Sequence, residues 1–284
     1  MLIVVESGST KADWMIIDGP ERKVLQTKGF NPYFHSEQFI LTELEKEEEL
    51  EAIADKVEHI SFYGAGCSAP ALNKIIYGAL GVFFKQAEVH VGHDLTACAK
   101  ALYEDEAEIA CILGTGSNSC YFDGTKLYEE VPALGYVLGD EGSGSYFGKQ
   151  VLAGYMYGIL PEAQMEELRT TGLDKAAITQ NVYQSQHANV YIASYMPYVI
   201  KYKDHPYWQP IIEEGLRKFV RTHVKCYREH REVEVNFTGS VAALLETELR
   251  KVCEEENIRV GRIVRKPLER LVEYELKEIR NKAS

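Results

Sequence analysis

Three glycine-rich turns, each directly behind an apolar stretch, are the first residues of this chain suited to chemistry. They are Gly8-Ser9-Thr10 after Leu2-Val5, Gly114-Thr115-Gly116-Ser117 after Glu108-Leu113, and Gly239-Ser240 after Val233-Phe237. Without a Cβ, the backbone N–H groups of such a turn can come close to an oxyanion, and the Ser and Thr hydroxyls add donors. One such turn is ordinarily a tight turn and nothing more. Three of them, two inside a repeated framework, favour a phosphate clamp. Asp94 follows a strand pattern and opens a helical one, a place that suits an N-cap and equally a carboxylate that takes a proton from a substrate hydroxyl. Gly139-Asp140-Glu141-Gly142-Ser143-Gly144 reads either as a capped helix entry or as a loop offering an acid to Mg²⁺ or to sugar hydroxyls. Asn31 and Asn118 stand beside loops and could be plain turn residues. His90 and His93 sit three apart beside Asp94, but no Cys/His/Asp set completes a metal site.

One motif competes. Gly64-Ala65-Gly66-Cys67-Ser68-Ala69 fits G-x-G-x-x-A between a strand and a helix, close to a dinucleotide fingerprint, so an NAD-binding protein is an alternative. That reading leaves the first 58 residues without a role and does not explain the other glycine loops. A P-loop, G-x-x-x-x-G-K-[ST], is absent from the sequence.

The elements that must position these residues repeat a theme. Leu2-Val5, the polar turn Glu6-Lys11, a strand near Asp13-Ile17, a hairpin turn at Asp18-Gly19 and a strand Lys23-Thr27 form the first copy. Glu108-Leu113, the turn Gly114-Asn118, a strand near Ser119-Phe122, Asp123-Gly124 and a short strand Lys126-Tyr128 form the second. Between them the pattern predicts a charged helix over about 37–55, a strand His59-Tyr63, a helix Pro70-Phe84, a strand Ala87-Val91 and a helix from Asp94, with Leu95, Cys98, Ala99 and Leu102 on one face. Helical patterns dominate Ser143 to about Arg228. A strand Val233-Phe237, a helix to about Glu256, a strand near Arg259-Val264 and a helix from Pro267 complete an α/β chain of two related domains.

Composition narrows the partners. Of 284 residues, 45% are hydrophobic and 26% charged, as in an ordinary globular protein, and 31 Lys plus Arg against 43 Asp plus Glu leave a net charge of -12. That charge disfavours nucleic acid and anionic membrane surfaces. No stretch reaches the roughly 18 to 20 apolar residues of a membrane span, and the apolar start breaks at Glu6 without a basic region. The six cysteines are scattered without a CxxC pair and read as reduced thiols; a soluble cytoplasmic protein is the expectation.

With these loops in order, the chain resembles the BadF/BadG-type ATPase family, in its N-acetylglucosamine kinase-like branch of the actin-like ATPase and sugar kinase superfamily. Ser7-Gly8-Ser9-Thr10-Lys11-Ala12-Asp13-Trp14 is similar to the family's first phosphate loop and Leu113-Gly114-Thr115-Gly116-Ser117-Asn118 to its second. Phe237-Thr238-Gly239-Ser240-Val241 is similar to the adenosine loop, Gly92-His93-Asp94-Leu95-Thr96-Ala97 to the segment of the catalytic Asp, and Leu138-Gly139-Asp140-Glu141-Gly142-Ser143 to a nearly diagnostic stretch. Glu6 stands where members often carry Asp, and Ala133-Leu134-Gly135-Tyr136-Val137 lacks the Trp that some kinases place after this Gly.

The resemblance implies two ribonuclease-H-like lobes with a central nucleotide cleft, residues 1–103 plus about 266–284 forming one and 104–265 the other. It implies ATP and Mg²⁺ as cofactors and transfer of phosphate to the 6-hydroxyl of an amino sugar, N-acetylglucosamine first and N-acetylmuramic acid second. Asp94 would be the catalytic base. Gly8, Ser9, Thr10, Lys11, Gly114, Thr115, Gly116, Gly239 and Ser240 would hold ATP; Asn31, Asn118, Gly135 and Asp140 would hold the sugar; Glu6 would reach Mg²⁺ through water. A homodimer is compatible with this reading. The wider family also holds ATPases that activate radical dehydratases through a cysteine-bound iron–sulfur cluster, for which no convincing pair of cysteines is present, and a sensor without catalysis is a third alternative.

Overall fold

The computed structural model describes all residues except Ser9, Thr10, Gln186 and Ser284. The chain divides into two compact units, Met1–Leu102 with Pro267–Ser284, and Tyr103–Lys266.

The first unit contains β1 (Leu2–Ser7), β2 (Lys11–Asp18), β3 (Glu21–Lys28), α1 (Glu37–Leu44), α2 (Glu48–Glu51), β4 (His59–Gly64), α3 (Pro70–Phe83), β5 (Glu88–His93) and α4 (Asp94–Leu102). Its five strands run in the order β3-β2-β1-β4-β5. The β1, β2 and β3 segments pair antiparallel, while β1, β4 and β5 are parallel. The unbroken apolar run Leu2-Val5 follows from a strand buried on both faces. Ile3 and Val5 join Trp14, Ile16, Ile40, Ile76 and Leu80 on one face, and Leu2 and Val4 join Met15, Ile17, Tyr63 and Ala97 on the other. Trp14 brings its indole N–H into the core only because Thr27 Oγ1 accepts it at 2.9 Å.

The second unit contains β6 (Glu108–Leu113), β7 (Ser117–Phe122), β8 (Leu127–Tyr128), α5 (Gly135–Leu138), α6 (Gly144–Met156), α7 (Glu162–Thr170), α8 (Lys175–Tyr183), α9 (Ala188–Ala193), α10 (Met196–Lys201) and α11 (Trp208–Phe219). A π-helical turn, Val220–Val224, follows α11, and β9 (Glu234–Thr238), α12 (Ser240–Leu244), α13 (Glu246–Glu255) and β10 (Val260–Val264) complete it. Its sheet order, β10-β9-β6-β7-β8, has the connectivity of the first: a central strand, an antiparallel hairpin pair on one side and two parallel strands on the other. Ile109, Cys111 and Leu113 of β6 pack with Phe147, Val151, Leu216 and Phe219. The last helix, α14 (Leu268–Ala283), belongs to the first unit, where Leu268, Leu271 and Val272 cover Leu2 and Val4.

Several local expectations change. The charged helix expected over 37–55 stops after Leu44 and resumes as the single turn α2. Glu43, Glu45, Glu47, Glu49 and Glu51 place like charges four apart, which weakens a continuous helix. The polar turn expected at Glu6-Lys11 is shorter, because Glu6 and Ser7 extend β1 and Lys11 starts β2, with Ser7 opposite Ala12. Likewise β7 begins at Ser117, so Asn118 is a strand residue opposite Ile112. Sheet registry continues through these polar residues because both backbones already face each other.

Candidate active site

In the first unit, the end of β1 and the start of α4 carry the carboxylates. Burial and the nearby Asp13 and Asp94 carboxylates push Glu6 up to about 7, with Lys11 opposing them. Lys11 Nζ donates to Asp13 Oδ2 at 3.0 Å, and Gln26 Nε2 donates to Asp13 Oδ1 at 2.5 Å. The Gly8 N–H donates to Lys11 O at 2.9 Å, so it closes its own turn. Ser9 and Thr10, both assigned to nucleotide from sequence, lie outside the described residues. Asp94 is the first residue of α4, and its Oδ1 lies 3.1 Å from His93 Nε2.

Asn31 is buried in the loop after β3, where its Oδ1 accepts the Tyr33 N–H at 3.0 Å. Gly66 has φ +83° and faces that amide so closely that a Cβ would overlap Asn31 Oδ1. The glycine of the apparent dinucleotide fingerprint therefore makes room for a side chain of its own unit. The sheet beside it is mixed, with β1 antiparallel to β2.

In the second unit, the turn Gly114-Thr115-Gly116-Ser117 is fastened from behind by the first turn of α6. The Gly144 N–H donates to Gly114 O at 2.8 Å, and Ser145 gives its N–H and Oγ to Thr115 O at 2.9 and 2.7 Å. The Gly114 N–H closes the turn onto Gly116 O, and the Ser117 N–H goes to Asp140 Oδ1 at 3.3 Å. Among the described residues this leaves the Thr115 and Gly116 N–H groups without a partner, next to a buried Ser117 Oγ that also has none. A buried hydroxyl left unsatisfied is costly, and a Cβ on Gly114 would meet nothing within 4 Å. Two amides, a hydroxyl and open space fit an anionic phosphate.

Asp140 is buried, has φ +60°, and is raised from its ordinary value by desolvation, against the hydrogen bond from Ser117 and the charge of Lys149. Both its oxygens crowd the Gly116 Cα, where a Cβ would sit 3.0 and 3.1 Å away. Asn118 is buried, with its Oδ1 accepting the Ser119 N–H at 2.8 Å. Gly135 has φ +69° with open space where a Cβ would be. Gly239, at φ +111°, lies against the backbone of the Gly114 turn, since a Cβ would overlap the Leu113 carbonyl. Ser240 is exposed at the start of α12.

Two ionisable side chains take places that the sequence reading did not give them. Lys149 of α6 donates to Tyr136 O at 2.5 Å, beside Asp140 and Glu141; nothing in the sequence marks a lysine nine residues beyond Asp140 as its neighbour. His93 was weighed only with His90 for a metal. Residues three apart in a strand face opposite ways, and the two rings go separately to Asp94 and to Tyr63. Among the described residues no group of three or more His, Cys, Asp or Glu stands ready to ligate a metal. Five of the six cysteines are buried and Cys226 is half-buried; burial pushes the Cys67 thiol up to about 12, which disfavours the thiolate a cluster ligand requires. No helix among the described residues is long and apolar enough to cross a membrane.

No family model and no curated protein matches the chain. Solved structures do. A protein assigned as an N-acetylglucosamine kinase from Porphyromonas gingivalis superposes with a TM-score of 0.90 at 34% identity, over 96% of this chain and 98% of its own. A second protein so assigned, from Chromobacterium violaceum, gives a TM-score of 0.70 at 16% identity over 96% and 98%. A ROK family glucokinase from Streptomyces griseus, in complex with glucose and AMPPNP, gives 0.51 at 15% over 93% of each chain. The last two likenesses are of fold; the first extends to sequence over almost the whole chain. The chain belongs to the N-acetylglucosamine kinase-like family of the actin-like sugar kinases.

Proposed function

We propose that the protein transfers the γ-phosphoryl group of ATP to the 6-hydroxyl of N-acetylglucosamine. The observation that carries this reading is the 34% identity to the Porphyromonas gingivalis protein across 96% of the chain. Asp94 orients the acceptor hydroxyl and takes its proton as the oxygen bonds to the γ-phosphorus. The bond to the β–γ bridging oxygen breaks, and ADP leaves with that electron pair. The Thr115 and Gly116 amides and the Ser117 hydroxyl hold phosphate oxygens, with Gly8, Ser9, Thr10 and Lys11 serving the nucleotide from the first unit. Gly239 and Ser240 lie at the adenosine end. Mg²⁺, when bound, neutralises phosphate charge. Glu6 would hold it, and the crowding of Glu6 by Asp13 and Asp94 is a negative field that a divalent cation would relieve.

In the second unit Asn118 and Asp140 offer an amide and a carboxylate, and in the first unit Asn31 offers a further amide; each type suits a polyol, in which every hydroxyl both donates and accepts. Gly135 leaves space for the ring. A site built for an acetamido group leaves polar atoms unpaired when that group is missing, so it rejects plain glucose. N-acetylmuramic acid is the second reading: Lys149, close to Asp140, supplies a cation for its carboxylate. Initial rates with N-acetylglucosamine, N-acetylmuramic acid, glucosamine and glucose at equal concentration test the assignment. Equal rates with glucose and N-acetylglucosamine, or no phosphorylation of any of the four, would overturn the acetamido reading.

A further inference from the structure

The junction between β5 and α4 presents two consecutive ionisable residues that touch through their side chains. His93 is the last residue of β5 and Asp94 the first of α4. The backbone of His93 is held in the sheet opposite Gly64 of β4, and its same-face neighbours Val89 and Val91 pack on the core, so the strand that carries the ring has little freedom. The His93 Nε2 lies 3.1 Å from Asp94 Oδ1, while both side chains keep part of their surface open, 21% and 35%. Of the two groups only the imidazole can present a proton across this contact, because an ionised carboxylate has acceptors alone.

We infer that His93 is the positioning residue for Asp94: it ties down Oδ1, so that Oδ2 faces the acceptor hydroxyl. This inference rests on the kinase reading above, in which Asp94 is the base. One physical argument supports it. A carboxylate at the head of a helix turns freely between rotamers unless something holds it, and a base loses its advantage when its orientation is not set beforehand. The pair repeats the logic by which an oriented acid–base group is held by a neighbour that does not itself touch substrate.

A half-exposed histidine at a strand end could also be only a packing residue, and the test is built to separate the two. His93→Gln keeps an N–H donor at about the reach of Nε2, whereas His93→Leu keeps bulk and removes the donor. The expected result is a fall in kcat of roughly 10- to 100-fold for His93→Leu, with the KM for ATP changed less than about twofold, and recovery of most of kcat in His93→Gln. In an Asp94→Asn background, His93→Leu should cause no further loss, because the group being positioned is gone. Binding of a non-hydrolysable ATP analogue by calorimetry confirms that each variant is folded. If His93→Leu keeps its wild-type kcat, or if His93→Gln falls as far as His93→Leu, or if the two losses multiply in the double variant, the inference is overturned while the kinase reading stands. A wild-type protein that phosphorylates no sugar overturns the kinase reading and this inference together. Should His93→Leu fail to fold, the comparison of His93→Gln with His93→Phe decides in the same way.

Discussion

The carboxylate of Asp140 accepts the backbone N–H of Ser117 at 3.3 Å, so a residue assigned to the sugar is bonded to the turn assigned to phosphate. Twenty-three residues apart in sequence, the two share one small structure with Gly116, whose missing Cβ lets the carboxylate approach. Removing the Asp140 side chain should therefore weaken both ligands. Asp140→Ala is expected to raise the KM for the sugar and for ATP, each by about tenfold, the scale of a lost hydrogen bond to a charged group. Asp140→Asn, which keeps an acceptor for Ser117, should raise the sugar KM alone. Steady-state kinetics with each substrate varied separately checks both.

Asp94→Asn retains shape and loses the basic carboxylate. The expected outcome is a loss of kcat of about 10² or more with ATP affinity unchanged. Rate assays paired with calorimetry of an ATP analogue check it; a variant retaining more than a tenth of the wild-type turnover would refute the base assignment.

Gly114 and Gly239, the glycines of two turns assigned to the nucleotide, should fail in different ways. At Gly114 a side chain enters open space, so Gly114→Val should fold normally and lose ATP binding. At Gly239, φ +111° and the Leu113 carbonyl both exclude a side chain. Gly239→Val should cost about 2 kcal/mol or more of stability, roughly 5 °C in melting temperature for a unit of this size. Thermal melts and ATP-analogue titrations of the two variants distinguish these outcomes. Gly66→Val, in turn, should disturb Asn31, whose Oδ1 a Cβ there would overlap, and raise the sugar KM.

A pH effect follows from Glu256. The Lys225 ammonium, Arg221 and Arg217 bond its carboxylate and hold it down to about 2, well below the ordinary value near 4.5. A carboxyl group depressed in the folded state stabilises the protein above the unfolded value, and that contribution is lost as the pH falls from about 4.5 toward 2. Glu256→Gln should thus lower the melting temperature at pH 7 by more than at pH 3, where the wild type has lost most of its advantage. Melts of both proteins across that range check the sign.

Much of the architecture was readable in the order of residues. The apolar runs Leu2-Val5 and Glu108-Leu113 became the central strands of two sheets of like connectivity, and Asp18-Gly19 and Asp123-Gly124 became hairpin turns with Gly19 and Gly124 at positive φ. These signals are local: hydrophobic period, turn chemistry and glycine content act within a few residues. The family was legible for a related reason, since its loops are short motifs in a fixed order. The break after Leu44 was missed because like-charge repulsion competes with an otherwise helical pattern.

What the amino-acid order by itself determined is therefore the sequence of elements, the three glycine turns and the candidacy of Asp94. Which donors those turns keep available was decided only by tertiary structure. The Gly114 amide closes its own turn, the Ser117 amide is taken by Asp140, and the Thr115 carbonyl is taken by Ser145, so that among the described residues the Thr115 and Gly116 amides and the buried Ser117 hydroxyl keep no partner. Tertiary structure also turned His93 toward Asp94, brought Lys149 to Tyr136, and set Glu275 of α14 to accept from Ser61, Tyr63 and Lys100, more than 170 residues earlier. The physical reason is common to all of these. A hydrogen-bonding group is satisfied by whatever the packed chain places within about 3 Å of it, and sequence separation carries no information about that distance.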